Sequence, residues 1–158
     1  RGGGYALDKG YTLPPVNFTA REAAILLTAG HWITTLRMLP FTGTLQSALD
    51  KVRAALSASA QREAQTLMKS LVFTGVPTLP VDPRVRAVLE QAWFERRWVH
   101  IVYVSSKSIE TEHLVRLQTV LLERNETILH AVEKPSGDER PFRLHHIMRA
   151  RLAPDADA

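Results

Sequence analysis

At 158 residues, 45% hydrophobic and 23% charged, the chain has the size and composition of one ordinary soluble domain, or of a small domain with an attached helical segment. No run reaches the roughly 18 apolar residues of a membrane span, no secretory signal pattern opens it, and the absence of cysteine excludes disulfides, thiolate–zinc sites and cysteine nucleophiles. The net charge of +4, too small alone to argue for nucleic acid, belongs to residues 1–80, whereas residues 81–158 hold twelve Lys+Arg, twelve Asp+Glu and five of the six histidines.

The chain starts at Arg1 rather than Met, so the expectation is a piece of a longer protein. Residues 1–18, RGGGYALDKGYTLPPVNF, have no helical period and read as a short strand and an extended connector. RGGGY lacks the Lys-Ser/Thr and helix start of a phosphate-cradling loop. Thr19-Ala-Arg-Glu22 fits a capping box. The helix it opens, through about Leu39, is apolar nearly all round (Ala23, Ala24, Ile25, Leu26, Leu27, Trp32, Ile33, Leu36), which predicts burial on several sides, by its own domain or a second subunit. Pro40 and Gly43 break it. A second helix carries Leu45, Ala48, Leu49, Val52, Ala55 and Leu56 at helical spacing, and a third runs from about Ala60 to Leu71. FTGVPTLPVDP (73–83), with three prolines and a glycine, is the predicted domain boundary.

Asp82-Pro83 is a helix start, with Asp as N-cap and Pro at the first helical position. Val85, Val88, Leu89, Ala92 and Trp93 form that helix's apolar stripe. Strands are predicted over 98–105, 113–122, 127–133 and 140–152. In the last, Phe142, Leu144, Met148, Ala150 and Leu152 share one parity, interrupted by His146; Arg143, His145, Arg149 and Arg151 share the other, interrupted by Ile147. One helix followed by several consecutive strands describes a small, strongly bent β-barrel in an α+β chain. The expected layout is 1–18 connector, 19–72 helical segment, 73–82 linker, 83–152 barrel domain and 153–158 loose tail, whose APDADA reads as the natural terminus.

Three stretches resemble bacterial transcription regulators that join a winged helix-turn-helix to a WYL domain. RGGGYALDKGYTLPP with FTAREAAILL resembles the end of the DNA-binding wing and the first connecting helix; LEQAWFERRWVHIVYVS, with Arg96, Arg97 and Tyr103, resembles the opening helix and strand. VRLQTVLLERNETILHAV and ERPFRLHHI resemble the core and the closing Arg-x-Phe-Arg-x-Asp-Arg-Ile run. The resemblance covers essentially the whole chain, without the helix-turn-helix proper. Three departures stand out: Thr127-Ile128-Leu129 occupy the place of Trp-Tyr-Leu, Leu117 that of a proline, and His145-His146 that of the Asp-Arg pair. The resemblance implies an Sm-like, SH3-type five-stranded barrel that senses a nucleotide or single-stranded nucleic acid and adjusts the DNA affinity of an attached helix-turn-helix, usually as a dimer.

It also implies Arg116, Arg140 and Arg143 as ligand contacts. Guanidinium forks bind phosphate bidentately without losing a proton. The competing reading is three surface arginines, each paired with one of the twelve acidic residues of this half. Phe142 belongs to the same matched run. His146, in place of an arginine, would weaken anion binding or make it acid-dependent, or else be an inert histidine at the barrel end. Tyr103 would stack on a base or plug the barrel, the second being the simpler reading. The histidines show no His-x-His spacing to support a metal site. Ser105, Ser106 and Ser108 have no base and orienting acid that the sequence can point to. The expectation is therefore a cytoplasmic, non-catalytic sensing and dimerising segment without cofactor or metal. The alternatives are a dimerisation scaffold whose ligand site has decayed and, more remotely, a histidine-based metal-binding protein.

Overall fold

The computed structural model describes residues 16–36, 39–71, 79–123 and 125–154. The predicted wing remnant and most of the Pro-rich boundary lie outside the described residues. Four helices come first: α1 (Ala20–Leu36), α2 (Thr42–Ala54), α3 (Ala58–Lys69) and α4 (Pro83–Glu95). Five strands follow: β1 (Val99–Val104), β2 (Glu110–Leu122), β3 (Thr127–Lys134), β4 (Glu139–Arg143) and β5 (Ile147–Leu152). The fold is α+β, as predicted. Among the described residues no helix is long and apolar enough to cross a membrane.

The capping box closes α1 as its sequence requires. The Thr19 amide donates to Glu22 Oε2 at 2.8 Å, and the Glu22 amide donates back to Thr19 Oγ1 at 3.3 Å. The Thr19 amide first, and next its hydroxyl, which donates to the same Oε2 at 2.9 Å, hold the exposed Glu22 carboxyl below its ordinary range. Within one chain α1 is buried on one side only. Ala23 and Ala24 pack with Leu56 and Ala64, while Ile25 and Leu26 stay 59% and 43% exposed. Gly30 lets α2 come close, since a Cβ there would fall 2.5 Å from Leu49 Cδ1.

Helix α4 starts where Asp82-Pro83 predicts, with Asp82 Oδ1 accepting from the Arg84 amide at 2.7 Å. Its Val85, Leu89 and Ala92 cover one face of the sheet, meeting Val99, Ile101, Val115, Leu129, Ala131, Phe142, Leu144 and Ile147. Each fully buried Leu, Ile, Val or Phe here contributes about 1.5–3 kcal/mol of transfer free energy, so this cluster is the main source of cohesion for the C-terminal half. Two polar contacts tie α2 to α4: the Thr44 amide donates to Glu90 at 2.6 Å, and Arg86 donates to the Thr42 hydroxyl at 3.1 Å.

The sheet is antiparallel in the order β4-β3-β2-β1-β5. Residues 140–152, expected as one strand, form two. A 3-10 turn at Leu144–His146 separates β4 from β5, which lie at opposite edges of the sheet. The parity break at His146-Ile147 is this turn: it moves the inward set from Phe142 and Leu144 to Ile147. Met148, expected on the apolar side, is 47% exposed, because Val102 pairs with Arg149 and Tyr103 with Ile147, leaving Met148 in a bulge. A second register shift, between Leu117 and Thr119, leaves Gln118 unpaired in β2. So short a link between the two edges requires a strongly curled sheet, and the strand order is compatible with an Sm-like arrangement.

Candidate functional site

Tyr103, Phe142 and His146 converge. Tyr103 meets Phe142 edge-on at 5.3 Å between centroids and stacks on His146 at 5.7 Å. His146 Nδ1 lies 2.6 Å from the Val104 carbonyl, an acceptor only, so the proton sits on Nδ1. His113, weighed in the sequence only among the histidines of a remote metal site, joins the cluster with its ring 5.1 Å from that of Phe142. Its Nδ1 faces Glu133 Oε1 at 2.5 Å and its Nε2 faces the Thr111 hydroxyl at 2.8 Å. Arg140 donates to the other Glu133 oxygen at 2.7 Å. Burial alone would raise the Glu133 carboxyl, but the hydrogen bonds from His113 and Arg140, with the charges of both, hold it below the ordinary range. In the adjacent turn, burial lowers His145, with the charges of His146 and Arg143 adding to it and that of Glu126 opposing.

The three predicted arginines do not share one hollow. Arg140 shares the parity of Phe142 and joins the aromatic cluster through Glu133. Arg143 and Arg116 each follow a buried residue, Phe142 and Val115, so strand alternation sends them to the other face. There Arg143 pairs with Glu126 at 2.9 Å, and Arg116 lies over the Trp98 ring, 5.0 Å from its centroid. Arg140 and Arg143 are therefore already matched to carboxylates. Of the three, Arg116 alone among the described residues keeps a guanidinium with no carboxylate partner.

Arg116 opens into a hollow of about 400 Å³, lined by Trp93, Arg96, Arg116, Leu117 and Gln118. Two irregularities shape it. The β2 bulge places Gln118 on its wall. The C-cap of α4 places Arg96, whose backbone turns left-handed (φ 54°, ψ 34°) as the Arg97 amide closes onto the Ala92 carbonyl at 3.0 Å. Like Arg116, Arg96 has no carboxylate partner among the described residues. A second hollow of about 460 Å³ adjoins, sharing Trp93 and Gln118 and adding Phe41, Phe94, Thr119 and Val120. Among the described residues no carboxylate lines either one.

The sequence assigned Trp93 to the core stripe and gave Arg96 no ligand role. The available signal was an arginine ending a helix, just before a strand, where glycine is the usual residue. Among the described residues no three His, Asp or Glu side chains are grouped to hold a metal ion.

No family model matches the sequence, and no curated protein matches it. Among solved structures the chain is similar to proteasome accessory factor B/C (PafBC) of Arthrobacter aurescens, at 22% identity and a TM-score of 0.41. That similarity covers 88% of this chain but 21% of the other, so the chain spans a minor part of that protein's length.

Proposed function

We propose that the chain is the effector-sensing segment of a bacterial, cytoplasmic transcription regulator, a binding rather than catalytic unit whose effector is nucleotide-like or a single-stranded nucleic acid. The regulator context comes from the sequence resemblance to WYL proteins. One observation carries the ligand class: Arg96 and Arg116 flank a hollow that no carboxylate of the described residues lines, next to the Trp93 indole. Two guanidinium forks suit a phosphate, and an aromatic face suits a base. Binding is noncovalent and acts by favouring one arrangement of the attached DNA-binding units. A second copy of the chain covers the exposed Ile25 and Leu26 of α1.

Arg116→Ala tests this reading in a fluorescence titration with a labelled nucleotide and a labelled oligothymidylate. Loss of one charge-assisted contact lowers affinity about tenfold or more; equal affinity for both proteins removes Arg116 from the site. A second reading, a scaffold with a decayed site, is favoured by the pairing of Arg140 with Glu133 and Arg143 with Glu126. A thermal-shift screen that stays flat for mono-, cyclic and oligonucleotides selects the scaffold.

A further inference from the structure

Resting on the reading of the Arg96–Arg116 hollow as a phosphate site, we propose that the base of the effector lodges in the adjoining aromatic hollow against Phe41, so that a bound nucleotide fastens the helical segment to the sheet. The two hollows share the walls formed by Trp93 and Gln118, and their chemistry is segregated. The guanidiniums stand at one end. At the other stand the rings of Phe41 and Phe94, Phe94 being 57% exposed beside Trp93. A ligand with a phosphate at one end and a flat aromatic group at the other matches this division; a simple anion uses only half of it. Base–aromatic stacking is tolerant of base identity because every base has a π face. Gln118, held out by the bulge, brings an amide with both donor and acceptor to the junction, where it can pair with the edge of a base.

Phe41 gives the second hollow its consequence. It immediately precedes α2, whose contacts with α4 through Thr42 and Thr44 lie within three residues of it. A base packed between Phe41 and Phe94 adds a third tie at the same joint, and only when ligand is present. The ligand therefore binds the docked arrangement of α2 and α4 better than any undocked one, which is the differential affinity that a population shift requires.

The test is calorimetric titration of the whole chain with AMP and with ribose 5-phosphate, which lacks the base. AMP is expected to bind at least tenfold more tightly. Phe41→Ala and Phe94→Ala should each erase most of that difference while leaving ribose 5-phosphate affinity unchanged, and Phe94, being largely exposed, can be truncated without unfolding the chain. AMP, but not ribose 5-phosphate, should slow hydrogen exchange at the Thr44 amide. Equal affinity of the two ligands, lost together in Arg116→Ala, overturns the base site and leaves the phosphate site standing. Equal exchange protection by the two overturns the fastening. Binding of neither ligand removes both proposals.

Discussion

The rings of Tyr103 in β1 and Phe142 in β4 meet edge to face with centroids 5.3 Å apart, although β2 and β3 lie between their strands. Three strand spacings in a flat sheet would hold them about 14 Å apart. The contact therefore requires a curled sheet, and Phe142 joins strands that are not paired with each other through their backbones. Phe142→Ala should cost about 3–5 kcal/mol, read as a lower urea midpoint. Tyr103→Phe should shift stability by less than about 0.5 kcal/mol, because the hydroxyl's contact with the Arg143 amide is already at the 3.5 Å limit. A large loss in Tyr103→Phe would show that the hydroxyl, not the ring, holds the curl.

Glu133 makes the fold sensitive to acid. Its folded-state carboxyl is held below the ordinary value of 4.5, so the unfolded chain takes up the proton first as the pH falls. The stabilisation is fully present above that value and is lost as the pH drops through the lowered one. His145 acts with the same sign in a higher window: lowered by burial first and by its charged neighbours next, it contributes stability above its ordinary value of 6.5 that fades as acid protonates it. Denaturation midpoints measured against pH should fall in both windows. Glu133→Gln should flatten the lower and His145→Asn the upper; parallel curves for variant and parent would show that the acid response comes from other groups.

Local chemistry made much of the fold legible in the sequence. Thr19 and Glu22 announced one helix and Asp82-Pro83 another, because capping needs only neighbouring residues. The 3-10 turn left only a parity break at His146-Ile147, which reads as an interruption within one strand. What lies across the sheet was not legible. Alternation tells which face a side chain takes, but it does not reveal that Glu133, seven residues before Arg140 and across a hairpin, neutralises that arginine. Nor does it register the bulge at Gln118, which depends on the pairing of β2 with β3.

Arg140, matched to the closing run of the family it resembles, is therefore expected to be silent in ligand binding. Its pair with Glu133 leaves the guanidinium side chain 53% exposed, a setting in which ion pairs contribute about 0–1 kcal/mol. Arg140→Ala should lower stability by no more than that and leave nucleotide affinity unchanged, whereas Arg116→Ala should lower affinity with little change in stability. The opposite outcome in the same titration would return the ligand to the aromatic cluster of Tyr103, Phe142 and His146.

Helix α1 leaves Ile25 and Leu26 side by side in solvent while its other face is covered by α3. If a second copy covers them, charge there should separate the copies. Ile25→Glu with Leu26→Glu should reduce the sedimenting mass to that of one chain while preserving the helical circular dichroism signal. An unchanged mass would place the contact between copies elsewhere.

Arg96 offers a test in which stability and binding move in opposite directions. Its left-handed backbone (φ 54°, ψ 34°) suits glycine and strains a residue with a Cβ by roughly 1–2 kcal/mol. Arg96→Gly should therefore stabilise the chain by about 1 kcal/mol, while removing one of the two guanidiniums that face the hollow. Arg96→Ala removes the same guanidinium but keeps the strain. Both variants should lose nucleotide affinity to the same extent, and only the glycine variant should gain stability. A glycine variant that gains stability and binds like the parent would mean that the arginine is not there for a ligand, and the hollow would then rest on Arg116 alone.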